Sequence, residues 1–168
     1  MSFIEKAELA VLEQNRRALR ALLVTPKARA NGLAKVEDLH IPGPAGQLRA
    51  RYYEAADATP APMTLFFHGG GFVTCDIDTH DSICSHLAKE SAGRVLSVDY
   101  RLAPETRFPG QIEDARAACA WAFQNAQSFG AAPGQLAVAG DSAGAYLAAT
   151  MALEINRLTP GAVPLQVL

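Results

Sequence analysis

The sequence predicts an α/β fold in which a mostly parallel sheet has helices on both faces. Three short apolar runs, at residues 63–67, 94–98 and 136–139, are predicted to be strands. Each run is apolar at consecutive positions, which is typical of parallel strands that are covered on two sides. Segments with helical spacing of apolar residues lie between the runs. This alternation of strands and helices is the pattern of crossover units in a parallel sheet.

The chain before these strands is predicted to hold one helix and one antiparallel pair of strands. The helix covers residues 4–23, and residues 25–34 form a loop. Residues 36–41 and 48–55 have short β-like patterns, and the Pro- and Gly-rich segment 42–46 between them predicts a turn. We expect this pair at an edge of the sheet. One side of the helix carries an apolar stripe made of Ile4, Ala7, Val11, Ala18 and Leu22.

The first helix among the apolar strands is predicted at residues 78–91. Asp78 or Thr79 is a suitable cap, because short polar side chains accept hydrogen bonds from the free N–H groups of a first turn. The spacing of apolar residues predicts that Ile83 and Leu87 face the core.

Two further helices are predicted at residues 111–129 and 143–157. Gly130 is a suitable stop for the first of them, because glycine readily adopts the left-handed conformation that ends many helices. Residues 164–168 begin a fourth apolar run, and a strand of this kind belongs in the middle of a sheet. We therefore expect the fold to be truncated in a central strand. The inward face of the helix at 111–129 is predicted to carry Ile112, Ala115, Cys119, Ala122, Phe123 and Ala126.

The composition argues against several classes of protein. A net charge of −2 without a basic block gives no support for binding to nucleic acid or to an acidic membrane. No apolar run approaches the roughly 18 residues of a membrane span. The N-terminus lacks the positive start and the apolar run of a signal peptide, so we expect a cytoplasmic protein.

The three cysteines, Cys75, Cys84 and Cys119, are odd in number and form no C-x-x-C pair. This pattern predicts buried free thiols in a reducing compartment. Cysteine and histidine also lack the spacing of a metal site, so no metal is expected.

Residues 140–144, Gly-Asp-Ser-Ala-Gly, match the pattern G-x-S-x-G directly after a predicted strand and directly before a predicted helix. In this context the pattern is typical of a sharp turn that presents a serine nucleophile, here Ser142. Gly140 and Gly144 are small enough for the close crossing of strand and helix. The helix N-terminus also directs N–H groups and partial positive charge toward a developing oxyanion.

The same turn has two other interpretations. Ser142 could serve only as a helix cap, with the glycines required for packing. Asp141 could be taken for the acid of a catalytic triad, but adjacent residues on a turn point apart, which argues against that role.

A second glycine-rich segment, residues 68–72 (His-Gly-Gly-Gly-Phe), follows the first apolar strand. Successive glycines let backbone N–H groups face a cavity, where such donors stabilise the oxyanion formed during attack on an ester. We predict that Gly69, Gly70 and the N–H of Ala143 are the donors, and that Gly71 supports the loop.

The glycine segment has alternative interpretations. It could be a flexible turn, or a loop that cradles phosphate, although the lysine and the spacing of a phosphate-binding loop are absent. His68 could be mistaken for a catalytic base. Its position on the loop itself favours a structural role through hydrogen bonds.

These motifs resemble the hormone-sensitive-lipase-like family of α/β-hydrolases, the bacterial family IV esterases. The resemblance covers nearly the whole chain from Met63. It rests on residues 68–72, on Asp-Tyr-Arg-Leu-Ala-Pro-Glu at 99–105, on Phe108 and Pro109, on Asp114 and on residues 140–144.

The resemblance implies an α/β-hydrolase fold. Residues 1–35 would correspond to the N-terminal cap helices of the family, which cover the acyl pocket, and residues 36–168 to the N-terminal part of the hydrolase domain. In the motif at 99–105, Arg101 and Glu105 are expected to pin the loop beneath the site, since structural ion pairs are the commoner use of such residues.

The resemblance also implies hydrolysis of carboxylic esters with short to medium acyl chains. Ser142 would attack the carbonyl carbon, and a histidine would take its proton. Gly69, Gly70 and Ala143 would hold the oxyanion, and water would then release the acid. The expected partner is a small-molecule ester, and neither a cofactor nor a metal is implied.

The chain departs from the family at three places. Cys75 stands where the family usually has glycine, and Ala145-Tyr146 where it has Gly-Asn. Residues 143–168 contain no His and no Asp, although the triad order in this fold is Ser, acid, His. We expect the acid and the base to lie outside the chain, with a second polypeptide completing the fold as one option. Residues 1–168 alone should then be nearly inactive.

Two alternatives to a carboxylesterase remain. A non-catalytic protein that binds ligands on the same fold would also lack the base. Cleavage of lactones, carbamates or amides would use the same turn, because the shape of the pocket, and not the turn, separates these substrates.

Overall fold

A computed structural model describes residues 3–24 and 29–168 of the chain. These residues form one sheet of six strands with helices packed on both faces. In chain order the elements are α1 (Phe3–Leu23), β1 (Leu33–Gly43), β2 (Gly46–Ala55), β3 (Met63–Phe67), α2 (Asp81–Glu90), β4 (Arg94–Val98), α3 (Gly110–Asn125), β5 (Leu136–Gly140), α4 (Ala143–Leu158) and β6 (Leu165–Val167).

The strands lie in the order β1-β2-β4-β3-β5-β6. β4, β3, β5 and β6 are parallel to one another. β1 and β2 form an antiparallel hairpin in which Gly43 pairs with Gly46, and β2 pairs antiparallel with β4. The predicted mostly parallel sheet with an antiparallel edge pair is therefore confirmed. Because parallel strands end at the same edge, the loops after β3 and β5 meet there, where ligands of open α/β sheets bind.

The core occupies both faces of the sheet. Successive residues of a strand point to opposite faces. Leu65 on β3 and Val138 on β5 pack with α3 and α4 on one face. Their neighbours Phe66 and Ala139 pack with α2 on the other face. Because both faces are covered, the strands are almost continuously apolar, as the sequence indicates.

Helix α3 follows its prediction closely. It ends at Asn125 and continues as a 3₁₀ turn, Ala126–Phe129, to Gly130, which has a φ of 71° and ends the helix as expected. Phe123 is half-buried, and the other residues of the predicted inward face are buried, namely Ile112, Ala115, Cys119, Ala122 and Ala126.

Helix α2 begins at Asp81 and not at residue 78. Neither predicted cap is correct, because the residue before the helix is His80, whose side chain makes no capping hydrogen bond. Asp78 and Thr79 belong to the preceding turn. Their N–H groups donate to Asp76 Oδ1 at 3.0 and 2.8 Å, an arrangement that stabilises turns.

The inward face of α2 differs from the prediction by one position. Cys84 is fully buried, whereas Ile83 is 49% exposed. Leu87 is half-buried and packs at the border of the core. The rotation of the helix is fixed at its first residue, because the hydroxyl of Tyr53 donates to Asp81 Oδ1 at 2.8 Å.

The apolar stripe predicted on α1 is not the face that packs. Val11 is 58% exposed and Leu22 is 74% exposed. The side chain of Ile4 and residues 25–28 of the predicted loop lie outside the described residues. A neighbouring face of the helix is half-buried instead, and its residues are Leu9, Leu12, Arg16 and Leu19.

Arg16 explains this orientation of α1. Its Nε donates to the carbonyl of Val73 at 2.7 Å, and its Nη2 donates to the carbonyl of Ala103 at 2.8 Å. The guanidinium also holds the carboxylate of Glu105 with two hydrogen bonds of 2.7 and 3.0 Å. Bidentate pairs of this kind are strong and directional. They tie α1 to the loops after β3 and β4.

Arg101 fixes the loop after β4 from its other end. Its backbone N–H donates to the carboxylate of Asp114 at 2.9 Å, and its Nη2 donates to the same group at 2.7 Å. Asp114 lies on α3 and is fully buried, so its charge needs these partners. The contacts of Arg101 and Glu105 agree with the structural role that the sequence predicts for both.

β6 is the outer strand of the described sheet. Its residues Leu165 and Val167 are 56% and 51% exposed, and its pairing with β5 runs from Leu165 to Val167. Within the described ranges, no helix has the length and apolar character needed to cross a membrane.

Candidate active site

Ser142 lies on a strained turn between β5 and α4. Its φ of 52° and ψ of −115° fall in a region that costs a residue with a side chain about 1–3 kcal/mol. The turn keeps this conformation because Gly140 ends β5 and Ala143 begins α4, which fixes the chain on both sides. Ser142 is exposed at the carboxyl edge of the sheet, where a substrate can reach its hydroxyl.

The turn crosses the end of β3 too closely for side chains at its flanking glycines. A Cβ added to Gly144 would lie 1.8 Å from the carbonyl oxygen of Phe67, and one added to Gly140 would lie 2.7 Å from the same atom. Well-packed interiors leave no room for such atoms. This close packing places the serine turn directly beside the loop that follows β3.

The glycine loop after β3 has an unusual backbone. Gly70, Gly71 and Phe72 have φ values of 115°, 62° and 64°. The carbonyl of Gly70 accepts hydrogen bonds from the N–H groups of Val73 and Thr74 at 3.1 and 3.0 Å. In the described part of the chain, the N–H groups of Gly70 and Gly71 have no hydrogen-bond acceptor. They are therefore free to bind a ligand.

Gly69 differs from these two glycines because its N–H is used within the protein. It donates to Asp141 Oδ1 at 2.9 Å. This hydrogen bond occupies an N–H that the sequence predicts to bind the oxyanion, so in this structure Gly69 supports the loop. Ala143 is the first residue of α4, and a helix has no internal acceptor for its first N–H groups.

His68 supports the glycine loop from below. It is fully buried, its Nδ1 lies 2.7 Å from the carbonyl oxygen of Gly69, and its ring stacks on Tyr100 with centroids 4.3 Å apart. The hydroxyl of Tyr100 donates to the carbonyl of His68 at 2.6 Å. Burial lowers the pKa of His68 to about 4. The neutral ring then donates through Nδ1 to Gly69, which agrees with the predicted structural role.

None of the four histidines of the chain is hydrogen-bonded to Ser142 in the part that the structure describes. His68 is buried beneath the loop, and His80 faces the carboxylate of the residue before the serine. His40 and His86 are exposed on β1 and α2. None of these imidazoles is placed to take the proton of the serine.

An open cavity of about 420 Å³ lies beside the glycine loop. Phe72, Phe108 and Tyr146 line it, together with Gly71. Tyr146 is in the first turn of α4 and stands edge-on to Phe72, with ring centroids 6.1 Å apart and ring planes at 85°. This position makes Tyr146, where the family usually has Asn, part of the cavity wall next to the serine turn.

The three cysteines are free thiols. Cys84 and Cys119 are buried as predicted, and burial raises the pKa of each to about 12. Cys75 is only half-buried, which corrects the prediction for this residue. It follows the glycine loop and has a φ of 69°, a conformation that explains why glycine suits this position.

We predict that Cys75→Gly raises the free energy of unfolding by about 0.5–1 kcal/mol. Glycine removes the strain of a side chain at positive φ, and the larger entropy of glycine in the unfolded chain offsets part of this gain. Urea denaturation measures the difference. Cys75→Ala is the control and should give no gain, since it keeps a Cβ; equal stabilisation by both variants would contradict the explanation.

Residues 64–168 match the family model described as the alpha/beta hydrolase fold. The chain belongs to the α/β-hydrolase family. Relatives include the carboxylic ester hydrolase LipN of Mycobacterium tuberculosis, which is 49% identical over 117 residues (69% of this chain and 31% of LipN). Esterase LipI of the same organism is 46% identical over 144 residues (84% of this chain and 44% of LipI).

Solved α/β-hydrolase structures share the architecture. A hyperthermophilic esterase from the archaeon Pyrobaculum calidifontis superposes with a TM-score of 0.84 at 41% identity, over 94% of this chain and 50% of the esterase. A thermostable carboxylesterase cloned from a metagenomic library gives a TM-score of 0.83 at 41% identity, over 95% of this chain and 53% of that protein. These similarities confirm the resemblance to hormone-sensitive-lipase-like carboxylesterases.

The chain spans less than half the length of the curated relatives that it matches, 31% of LipN and 44% of LipI. It spans about half of each similar solved structure, 50% and 53%. The matched part of the α/β-hydrolase fold contains the serine turn and the glycine loop.

Two residues of the site were not predicted from the sequence. Thr74 closes the glycine loop, since its hydroxyl donates to the carbonyl of Gly70 at 3.0 Å. His80 lies 3.2 Å from Asp141 Oδ1. A Thr four residues after the glycine is a local signal that could have been used. The position of His80 depends on the packing of α2 against the sheet, and no local pattern indicates it.

Proposed function

We propose that the protein acts as a serine carboxylesterase with Ser142 as its nucleophile. The observation that carries the proposal is the position of Ser142, on a strained turn packed against a loop whose Gly70 and Gly71 N–H groups are free. A hydroxyl beside unoccupied backbone donors is the arrangement that acyl transfer needs. The esterase names of the relatives support the same reaction.

In the proposed reaction, Ser142 Oγ forms a bond to the carbonyl carbon of the ester while its proton passes to a histidine. The carbonyl electrons move to the oxygen, and the N–H groups of Gly70, Gly71 and Ala143 stabilise this oxyanion. The intermediate collapses, the bond to the alcohol breaks, and the alcohol takes the proton from the histidine. Water then repeats the sequence on the acyl-enzyme and releases the acid.

The histidine and its acid are proposed to lie outside residues 1–168. No described imidazole is bonded to Ser142, and residues 143–168 contain neither His nor Asp. The relatives are more than twice as long as their matched parts, so they have room for both groups. A further segment of the same chain or a second polypeptide could supply them, and the native mass of the purified protein separates these two sources.

The proposed substrate is a small carboxylic ester with a short to medium acyl chain. The open cavity beside the glycine loop is lined mainly by aromatic and aliphatic side chains, with Gln111 among them, which suits an apolar group of limited size. No cofactor or metal is proposed, since the steps require only the hydroxyl, a base and the N–H donors. Among the described residues, no cluster of His, Cys, Asp or Glu could hold a metal ion.

Hydrolysis of p-nitrophenyl esters of increasing acyl length tests this proposal. The protein at its full natural length should show its highest kcat/KM between acetate and octanoate and a much lower value for palmitate. Residues 1–168 alone should be slower by about 10⁴- to 10⁶-fold, the cost of losing a triad base. The palmitate ester and the isolated 1–168 chain are the matched controls.

A non-catalytic ligand-binding protein is the second candidate, favoured by the lack of an imidazole at Ser142 among the residues that the structure describes. This alternative predicts tight binding of an ester without turnover by the protein at its full natural length. That result would overturn the esterase proposal. If the protein at its full natural length turned over the ester no faster than residues 1–168 alone, the proposed location of the base would be wrong.

A cytoplasmic location is also proposed. Three free thiols, two of them buried, are typical of proteins that stay in a reducing compartment.

A further inference from the structure

One carboxylate oxygen joins three segments at the candidate site. Asp141 Oδ1 accepts the N–H of Gly69 at 2.9 Å and lies 3.2 Å from His80 Nε2. Gly69 is in the loop after β3, His80 precedes α2, and Asp141 immediately precedes Ser142. The three residues therefore connect the glycine loop, the start of α2 and the serine turn.

The contact with Gly69 leaves no room for a side chain there. A Cβ added to Gly69 would lie 2.2 Å from Asp141 Oδ2 and 2.9 Å from the carbonyl oxygen of Asp141. The first glycine of the loop is thus required by the approach of the carboxylate. Its N–H lies in the peptide that joins it to His68 and donates to Asp141, whereas its carbonyl lies in the next peptide, which also carries the Gly70 N–H, and accepts from His68 Nδ1. Both peptides that flank Gly69 are therefore fixed.

His80 is itself held rigidly. It is 6% exposed, and its Nδ1 lies 3.0 Å from the hydroxyl of Thr79. Its ring lies 6.1 Å from the ring of Phe66 and 5.6 Å from that of His68, measured between centroids. With Nδ1 toward Thr79 and Nε2 toward Asp141, both ring nitrogens have partners other than Ser142. The geometry does not suit a catalytic base.

Beyond Gly69, the loop is fixed by Thr74, which binds the carbonyl of Gly70. Between these two anchors lie the free N–H groups of Gly70 and Gly71. Small errors in the direction of such donors reduce the stabilisation of a transition state, because preorganised donors act only at the position where charge develops. The direction of both donors therefore depends on the orientation of the two peptides that flank Gly69.

We propose that His80 is a positioning residue: by holding Asp141, it fixes the N–H of Gly69 at the start of the glycine loop and so aims the N–H groups of Gly70 and Gly71 at the oxyanion. The inference rests on the proposed esterase function and adds a residue to that site. Asp141 then orients the glycine loop, and the serine turn is linked to the glycine loop by hydrogen bonding as well as by packing.

Kinetics of two His80 variants test the proposal in the protein at its full natural length. In His80→Ala, kcat should fall by about 10- to 100-fold, somewhat less than the loss of a whole oxyanion donor, while KM changes by less than about 2-fold. In His80→Gln, the amide N–H₂ can reach the place of Nε2, so most of kcat should be regained. His86→Ala, on the exposed side of α2, should leave both constants unchanged.

Hydrogen exchange of the Gly69 amide, followed by NMR, gives a readout that does not depend on turnover. The amide should exchange at least about 10-fold faster in His80→Ala than in the wild type, with Gln restoring protection, because the hydrogen bond to Asp141 loosens when Asp141 loses its support. Unchanged exchange and unchanged kcat in His80→Ala would overturn the inference about His80. The proposed esterase function would still hold in that case if Ser142→Ala lost its activity. Equal losses in the Ala and Gln variants, or a rise in KM alone, would also overturn it.

Discussion

Replacing Ser142 by alanine should lower kcat/KM for a short-chain p-nitrophenyl ester by about 10⁴- to 10⁶-fold. The variant keeps the Cβ and the backbone conformation of the turn but loses the oxygen that forms the acyl-enzyme. The oxyanion donors alone then leave a small residual rate. Steady-state kinetics on the protein at its full natural length measure the loss.

The matched control for this variant is Ser128→Ala. Ser128 lies in the 3₁₀ turn after α3, and its hydroxyl donates to the carbonyl of Asn125 at 2.7 Å. Its replacement should leave kcat/KM unchanged. If Ser142→Ala were to keep more than about a tenth of the wild-type rate, far more than the loss of a triad nucleophile leaves, the nucleophile would have to be another residue.

Gly144→Ala should lower the free energy of unfolding by about 4–5 kcal/mol, or prevent folding. The new methyl carbon would lie 1.8 Å from the carbonyl oxygen of Phe67 and 2.7 Å from that of His68. Both neighbours are backbone atoms of β3 and the segment after it, so α4 must move away from the sheet. Losses of this size come from overpacking in a core that cannot relax.

Gly134→Ala separates this overlap from the ordinary cost of replacing glycine. Gly134 has a φ of 75° and no heavy atom within 4 Å of an added Cβ, so its replacement should cost about 1–2 kcal/mol through strain alone. Urea denaturation of both variants gives the comparison. Similar losses at the two positions would show that the crossing of α4 and β3 tolerates a side chain.

The parts of the fold that follow local rules could be predicted from the sequence. The parallel strands are almost continuous apolar runs, and α3 combines helical periodicity with a terminal glycine, Gly130. The turn at Ser142 was predictable because a strand, a small-residue motif and a helix follow one another without a gap. In each case the residues that determine the structure are neighbours in the chain.

The parts that failed depend on distant contacts. Helix α1 has apolar residues on more than one side, so periodicity alone did not identify the side that packs against the protein. The hydrogen bonds of Arg16 to Val73 and Ala103 determine that side, and the predicted stripe lies on a different one. The N–H of Gly69 was predicted to bind the oxyanion, but it donates to Asp141. This acceptor is 72 positions away in the chain, so no local pattern indicates the hydrogen bond. Periodicity and motif spacing describe neither kind of contact, since both arise only when the sheet brings the loops together.

Covalent trapping by a p-nitrophenyl phosphonate tests the central claim most directly. The reagent loses p-nitrophenol on attack by an activated serine and leaves a stable tetrahedral phosphonate in place of the oxyanion. Mass spectrometry of the intact protein at its full natural length, followed by peptide sequencing, should find one adduct, located on Ser142 and absent from Ser142→Ala. No adduct, or an adduct on another residue such as Cys75 that persists in Ser142→Ala, would contradict the assignment of Ser142 as the nucleophile.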